Sequence, residues 1–192
     1  PVAGDGYAVG RAVDRSGFVS EGRIRWTAPA GGPWCIAQVS SSVLYEGFQA
    51  GTERGGGIPR YTSLLLPEVT QRFIELTHER YAGAFKEKLG QLFTSTFTDE
   101  PSSMALPFAN PGYGVYPWKR NVSDEFRSRY GCPLEDVLLE MMLDRGPQGQ
   151  KQRYRYFRIV SDFMSRNYFR QVRTYCNEQK LLSGGHLLVE ES

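Results

Sequence analysis

Leu92-Phe93-Thr94-Ser95-Thr96-Phe97-Thr98-Asp99-Glu100-Pro101 is the stretch that decides how this chain is read. Six of its first seven residues are β-branched, aromatic or apolar, with no glycine or proline among them, which predicts a strand over 92–98. The strand ends on two acids and a proline. A long loop over 101–121, rich in proline and glycine, follows. A loop of that length inside a compact domain is often functional.

Working outward, Pro67 suits the first position of a helix and Glu68 its positive N-terminus. Val69, Phe73 and Leu76 recur at helical spacing and predict a stripe facing a core. This helix is expected to run to about Lys88 and to stop at Gly90. Downstream, Ser123 can cap a helix over 124–130. A second helix is expected over 134–143, and Asp144-Arg145-Gly146-Pro147-Gln148-Gly149 breaks it. A long helix over 151–179 carries Tyr156, Val160 and Phe163, and then Tyr168, Val172 and Tyr175, at matching intervals. Leu181 to Val189 reads as the next strand. Strands alternating with helices predict parallel βαβ units. Residues 1–60 have a different texture, rich in glycine and serine. Two candidate strands lie there, Arg23 to Thr27 and Trp34 to Val39. The expected organisation is a β-rich lead-in over 1–60 and an α/β domain over 61–192.

The 192 residues are 40% hydrophobic and 23% charged, as in ordinary globular proteins. A net charge of +2 gives no electrostatic case for a nucleic-acid or membrane-surface partner. Cys35, Cys132 and Cys176 are widely spaced, which argues against a zinc site or a disulfide framework. No apolar run reaches the roughly 18–20 residues that span a membrane. No signal peptide is visible. The chain opens on Pro1-Val2-Ala3-Gly4 and closes on Glu190-Glu191-Ser192 directly after a strand, so a piece of a longer protein is expected.

In parallel α/β folds ligands bind at the carboxyl ends of strands. Both main candidate strands carry acids there: Asp99 and Glu100 on one, Glu190 and Glu191 on the other. His186, Leu188 and Glu190 share one face of the second strand. Acids at adjoining strand ends fit glycoside hydrolysis. One carboxylic acid protonates the leaving oxygen, and a second carboxylate activates water or attacks the anomeric carbon. An acid pair after a strand is also an ordinary solvated loop entry or helix cap, and a lone histidine is commonly structural. His78, mid-helix among charges, reads as surface. Asn121-Val122-Ser123 fits a glycosylation acceptor, a triplet frequent by chance. No GxSxG elbow, phosphate-binding loop or HExxH motif is present.

Several blocks resemble a known family in the same order along the chain. They are the run from Leu66 to Tyr81, Phe97-Thr98-Asp99-Glu100-Pro101-Ser102, Tyr116-Pro117-Trp118, Phe126 to Gly131, and Gly185-His186-Leu187-Leu188-Val189-Glu190-Glu191. They resemble large bacterial glycosyl hydrolases described as α-L-rhamnosidase-like and related to glycoside hydrolase family 106. The resemblance covers about residues 60–192, and residues 11–40 loosely. It implies a (β/α)8 TIM-barrel catalytic domain, here partial, flanked by β-sandwich domains. It also implies hydrolysis of oligo- or polysaccharide with paired glutamates, an association with calcium, and a periplasmic or secreted setting. On it, Glu100 and Glu190 are the expected catalytic pair. Asp99 and His186 are expected to orient sugar hydroxyls or a catalytic carboxylate. Asp99, Glu190 and Glu191 offer oxygen atoms for calcium, although no ligand-spaced loop is present. The competing reading is a carbohydrate-binding module, or a degenerate relative, in which Tyr113, Tyr116 and Trp118 stack on sugar rings. In an enzyme the same loop aromatics would line substrate subsites.

Overall fold

The computed structural model describes residues 13–40, 62–101 and 116–187. The first of these segments has no buried residue. It holds a 3-10 turn (Ser16–Phe18) and a two-residue hairpin of β1 (Val19–Ser20) against β2 (Arg23–Ile24). The strand expected over Arg23 to Thr27 is thus two residues long. The segment from Trp34 to Val39 forms no strand, since no described partner offers it a ladder. Trp34 instead sets its indole N–H on the Pro29 carbonyl and its ring edge-on to Trp26.

The remainder is helical around one small parallel sheet. A helix starts at Pro67 as α1 (Pro67–Phe73), passes through a π turn (Ile74–His78), and continues as α2 (Glu79–Phe85). Strand β3 (Ser95–Thr98) follows. Then come α3 (Arg120–Tyr130), α4 (Leu134–Leu143) and α5 (Pro147–Met164). A second π turn (Ser165–Phe169) leads into α6 (Arg170–Glu178) and β4 (Leu182–Gly185). Strands β3 and β4 pair in parallel, Ser95 with Leu182 through Thr98 with Gly185. The two strands run parallel as expected, but β4 stops at Gly185, short of the expected run to Val189: His186 and Leu187 lie beyond the strand, and residues 188 and 189 lie outside the described residues.

Two helix boundaries differ from the sequence reading for local reasons. Ser123 does not cap a helix. Helix α3 begins at Arg120, and Ser123 lies inside it, nearly buried, donating its hydroxyl to Glu135 Oε1 at 2.6 Å. Residues 144–149 do separate two helices, but α5 already starts at Pro147, which occupies its first turn. Gly149 then allows close helix contact, because a Cβ there would sit 2.0 Å from the Asp144 carbonyl oxygen.

Helices α3, α4 and α5 enclose a core of Val122, Phe126, Leu134, Met141, Tyr156 and Ile159, joined by Leu65. A second cluster of Tyr168, Val172, Cys176 and Leu181 lies beneath β4, joined by Leu64. The stripe expected on α1 is displaced by one step. Thr70 and Ile74 are buried, whereas Phe73 and Leu76 are exposed. Among the described residues this helix packs on one neighbour, the second π turn with α6, so only a narrow strip is covered. Asn121 is also occupied internally, its amide donating to the Leu65 carbonyl at 3.3 Å.

His78 is not the surface residue that its charged sequence neighbours imply. It is half-buried, its ring meets Phe73 and Tyr175 edge-on at 5.1 and 5.7 Å, and its Nδ1 is buried without a hydrogen-bond partner. Desolvation pulls its pKa below the ordinary 6.5. The unfolded chain therefore binds this proton more readily than the fold does, and stability rises with pH between the lowered folded pKa and 6.5. The melting temperature should fall as pH drops from 6.5 through the folded pKa, and less so in His78→Phe, which keeps the ring packing. Identical pH profiles in thermal melts of the two proteins would refute this.

Candidate functional site

The parallel pairing brings the carboxyl ends of β3 and β4 side by side. Beyond the last register pair the two chains stay joined. The His186 N–H donates to the Thr98 carbonyl at 3.1 Å, and the Glu100 N–H donates to the His186 carbonyl at 3.2 Å. Such close approach depends on Gly185. Its φ is +155°, and a Cβ on it would lie 1.9 Å from the Thr98 oxygen.

The sheet has two distinct faces. Thr96 Oγ1 sits 3.3 Å from Cys176 Sγ, so its side chain points toward α6. Alternation then turns Phe97 away from the helices. On that face the His186 ring stands edge-on to Phe97 at 4.9 Å, and His186 Nδ1 lies 3.6 Å from Asp99 Oδ1. This is ion-pair reach when the imidazole is protonated. Glu100, half-buried, follows with a φ of +46°, a left-handed conformation that a side chain with Cβ rarely adopts. A cavity of about 220 Å³ adjoins this end of β4, with Tyr168, Arg173, Gly185 and Leu187 in its wall. A larger groove, about 360 Å³, lies between the two π turns and holds none of the expected site residues. Of the described candidate residues only His186 lines the smaller cavity, whose walls include Tyr168, Val172 and Arg173 of the helical side; Asp99 and Glu100 do not line it.

Asp99, Glu100 and His186 are thus brought together. Glu190, Glu191 and Tyr113 lie outside the described residues. Tyr116 belongs to the helical core. Its hydroxyl donates to the Met141 carbonyl at 3.3 Å, its ring packs against Tyr156 and Phe157, and burial raises its pKa. Tyr156 and Tyr168, which lines the cavity, are separated along the helix by a rise of about 18 Å, so Tyr116 sits well away from the strand ends. Trp118 is exposed just before α3. Among the described residues no three His, Cys, Asp or Glu side chains converge on a point that could hold a metal. None of the described helices is long and apolar enough to cross a membrane. Phe97 is a member of the constellation that the sequence reading did not single out. Its signal was present, since it lies two residues before Asp99 and so on the same side of an extended chain. No protein-family model, curated protein or solved structure matches this chain.

The left-handed backbone at Glu100 costs about 1–3 kcal/mol, the kind of strain that gathers at functional sites. Glycine at that position relieves it, offset by a gain in unfolded-state freedom of about 0.5–1 kcal/mol. Glu100→Gly should therefore leave stability unchanged or raise it by up to about 2.5 kcal/mol in urea titration. A loss greater than about 1 kcal/mol would mean that the Glu100 side chain serves the fold.

Proposed function

We propose that this chain is part of the catalytic domain of a glycoside hydrolase, α-L-rhamnosidase-like, built on a TIM barrel in which β3 and β4 are neighbouring strands. The observation that carries this reading is the in-register parallel pairing that ends on Thr98 and Gly185, directly before Asp99-Glu100 and His186. Parallel sheets are normally covered on both faces. Here Phe97 and Leu182 are 65% and 72% exposed on the face turned from the helices, which is where the interior of a closed barrel would lie. That supports a sheet continued by further strands.

In the proposed reaction Glu100 acts as general acid or base on the glycosidic oxygen or the attacking water. Glu190 is the proposed partner carboxylate. Asp99 and His186 hold sugar hydroxyls or orient a catalytic carboxylate, and Glu191 lines the substrate site. Calcium, if the parent protein uses it, would draw on the oxygen atoms of Asp99, Glu190 and Glu191. The reaction class follows from two carboxyl groups acting on opposite sides of one bond, one protonated and one ionised.

A non-catalytic sugar-binding role is favoured by one observation, the 47% exposed ring of Trp118. The two readings separate on one experiment. In the full-length protein Glu100→Gln should lower kcat on its cognate glycoside by about 10²–10⁴, with KM changed by less than about threefold. Turnover near that of the wild type would overturn the catalytic assignment. Loss of binding on Trp118→Ala, with Glu100→Gln silent in every assay, would favour the binding module.

A further inference from the structure

We infer that the cavity at the carboxyl ends of β3 and β4 is an anion subsite, in which Arg173 holds the carboxylate of an acidic sugar. The inference rests on the carbohydrate reading above and names its substrate class: glycans with a uronate unit beside the bond that is cleaved.

The cavity lies on the helical side of the sheet. Thr96 turns toward α6, so its register partner Ser183, and Thr98 two residues on, turn the same way. Both line the cavity, together with Phe169, Val172 and Arg173 from the helical side. Gly184 and Gly185 add no side chain to the wall, and a Cβ on Gly184 would meet nothing within 4 Å. The volume, about 220 Å³, is below the roughly 300–1,000 Å³ of pockets for drug-sized ligands, which suits a single monosaccharide unit. Thr98 is followed directly by Asp99 and Glu100. A sugar seated here therefore has the next unit of its chain beside the acids.

Charge in this wall is one-sided. Its described residues include no aspartate or glutamate, and Arg173 is their one permanent cation. Arginine recurs at i, i+4 and i+7 along this stretch, as Arg166, Arg170 and Arg173, and the three differ in company. Arg166 lies over the Phe163 ring at 4.9 Å and donates to Asn167 Oδ1. Arg170 lines the larger groove with Glu75, Glu79 and Glu178. Arg173 enters no ion pair among the described residues. A guanidinium is a planar fork of N–H donors, matched to the two oxygens of a carboxylate. The Ser183 and Thr98 hydroxyls can donate to the same ligand, and Phe169 and Val172 give its C–H groups an apolar surface. Donors gathered without a carboxylate beside them select an acceptor-rich, negatively charged ligand over a neutral one.

The test is a titration of the full-length protein with methyl glucuronide and methyl galacturonide, read by ligand-observed NMR against the matching neutral methyl glucoside and methyl galactoside. At least one uronide should bind about tenfold or more tightly than its neutral counterpart. Arg173→Gln should abolish that preference and Arg173→Lys should keep part of it, with melting temperatures within about 2 °C of the wild type because Arg173 is exposed. Ser183→Leu, which fills the cavity and leaves the charge in place, should weaken the uronide about tenfold as well. Acetate, a carboxylate without the ring, should compete far more weakly. Equal affinity for uronides and neutral pyranosides, or a preference that survives Arg173→Gln or Ser183→Leu, would overturn the subsite. Acetate competing as well as the uronide would show a bare anion site and overturn the sugar assignment. Hydrolysis is decided separately. An Arg173-dependent preference without turnover keeps the subsite and removes the enzyme. Turnover of a neutral glycoside that requires Glu100 but ignores Arg173 removes only the subsite.

Discussion

The carbonyl of Leu65 is the point on which this structure hangs. It accepts the Asn167 amide at 2.7 Å and the Asn121 amide at 3.3 Å, while Gln171 reaches the Pro67 carbonyl beside it. Asn167 is 5% exposed, so its amide is committed to this bond, and leaving such a group unpaired costs about 1–3 kcal/mol. Leu64 and Leu65 enter different hydrophobic clusters, one beneath β4 and one among α3, α4 and α5. The start of α1 is thereby fixed against the junction of α5 and α6. Each of these helices leads into one strand of the parallel pair. At the far end Gly90 passes so close to Lys180 that a Cβ would meet it at 3.0 Å, and the Leu182 N–H donates to the Thr94 carbonyl. The clamp at one end and the close crossing at the other set β3 and β4 side by side.

The second π turn is what allows the clamp. An uninterrupted α-helix that buries Tyr156, Val160 and Phe163 would bring residue 167 back to the core and carry 168 past it. The wider turn advances the phase by one residue. Both Asn167 and Tyr168 then become buried, and Val172 and Cys176 continue the stripe. The sequence pattern, read as one continuous helix over 151–179, does not mark the break that the five-residue step from Phe163 to Tyr168 makes. Its structural meaning needed the partner at Leu65, far away along the chain, which no local pattern names.

The same contrast runs through the rest of the chain. The helices were legible where burial is one-sided and continuous, as along α5; along α6 Tyr168 and Val172 lead into a buried stripe that Cys176 completes, not the expected Tyr175, which is half-buried. They were misphased at α1, where only one neighbour covers the helix and Phe73 and Leu76 stay exposed. The strand over 92–98 was legible in composition. Only Ser95–Thr98 joins the ladder, because Gly90 turns the chain and its N–H takes the Phe93 carbonyl at 2.8 Å. Of the site, the place of Asp99 follows from the rule that parallel strands gather function at their carboxyl ends, whereas His186, expected inside a strand running to Val189, meets it because β4 stops at Gly185. The roles of His78 and Tyr116 did not follow, since an aromatic ring among polar neighbours is assigned to core or surface only by distant contacts. The strained Glu100 backbone and the space beside Gly184 are likewise products of two strands meeting, not of either sequence alone.

If the clamp at Leu65 positions the site, loosening it should be felt at the strand ends. The direct measurement is amide hydrogen exchange in the wild type and in Asn167→Ala, read at the Glu100 and His186 N–H groups that join the two strands. The account expects protection at both amides to fall by about tenfold or more, while amides in the middle of α3 and α4 keep theirs. Unchanged protection at Glu100 and His186 in that variant would contradict it, and would mean that the strand ends are held together without the clamp.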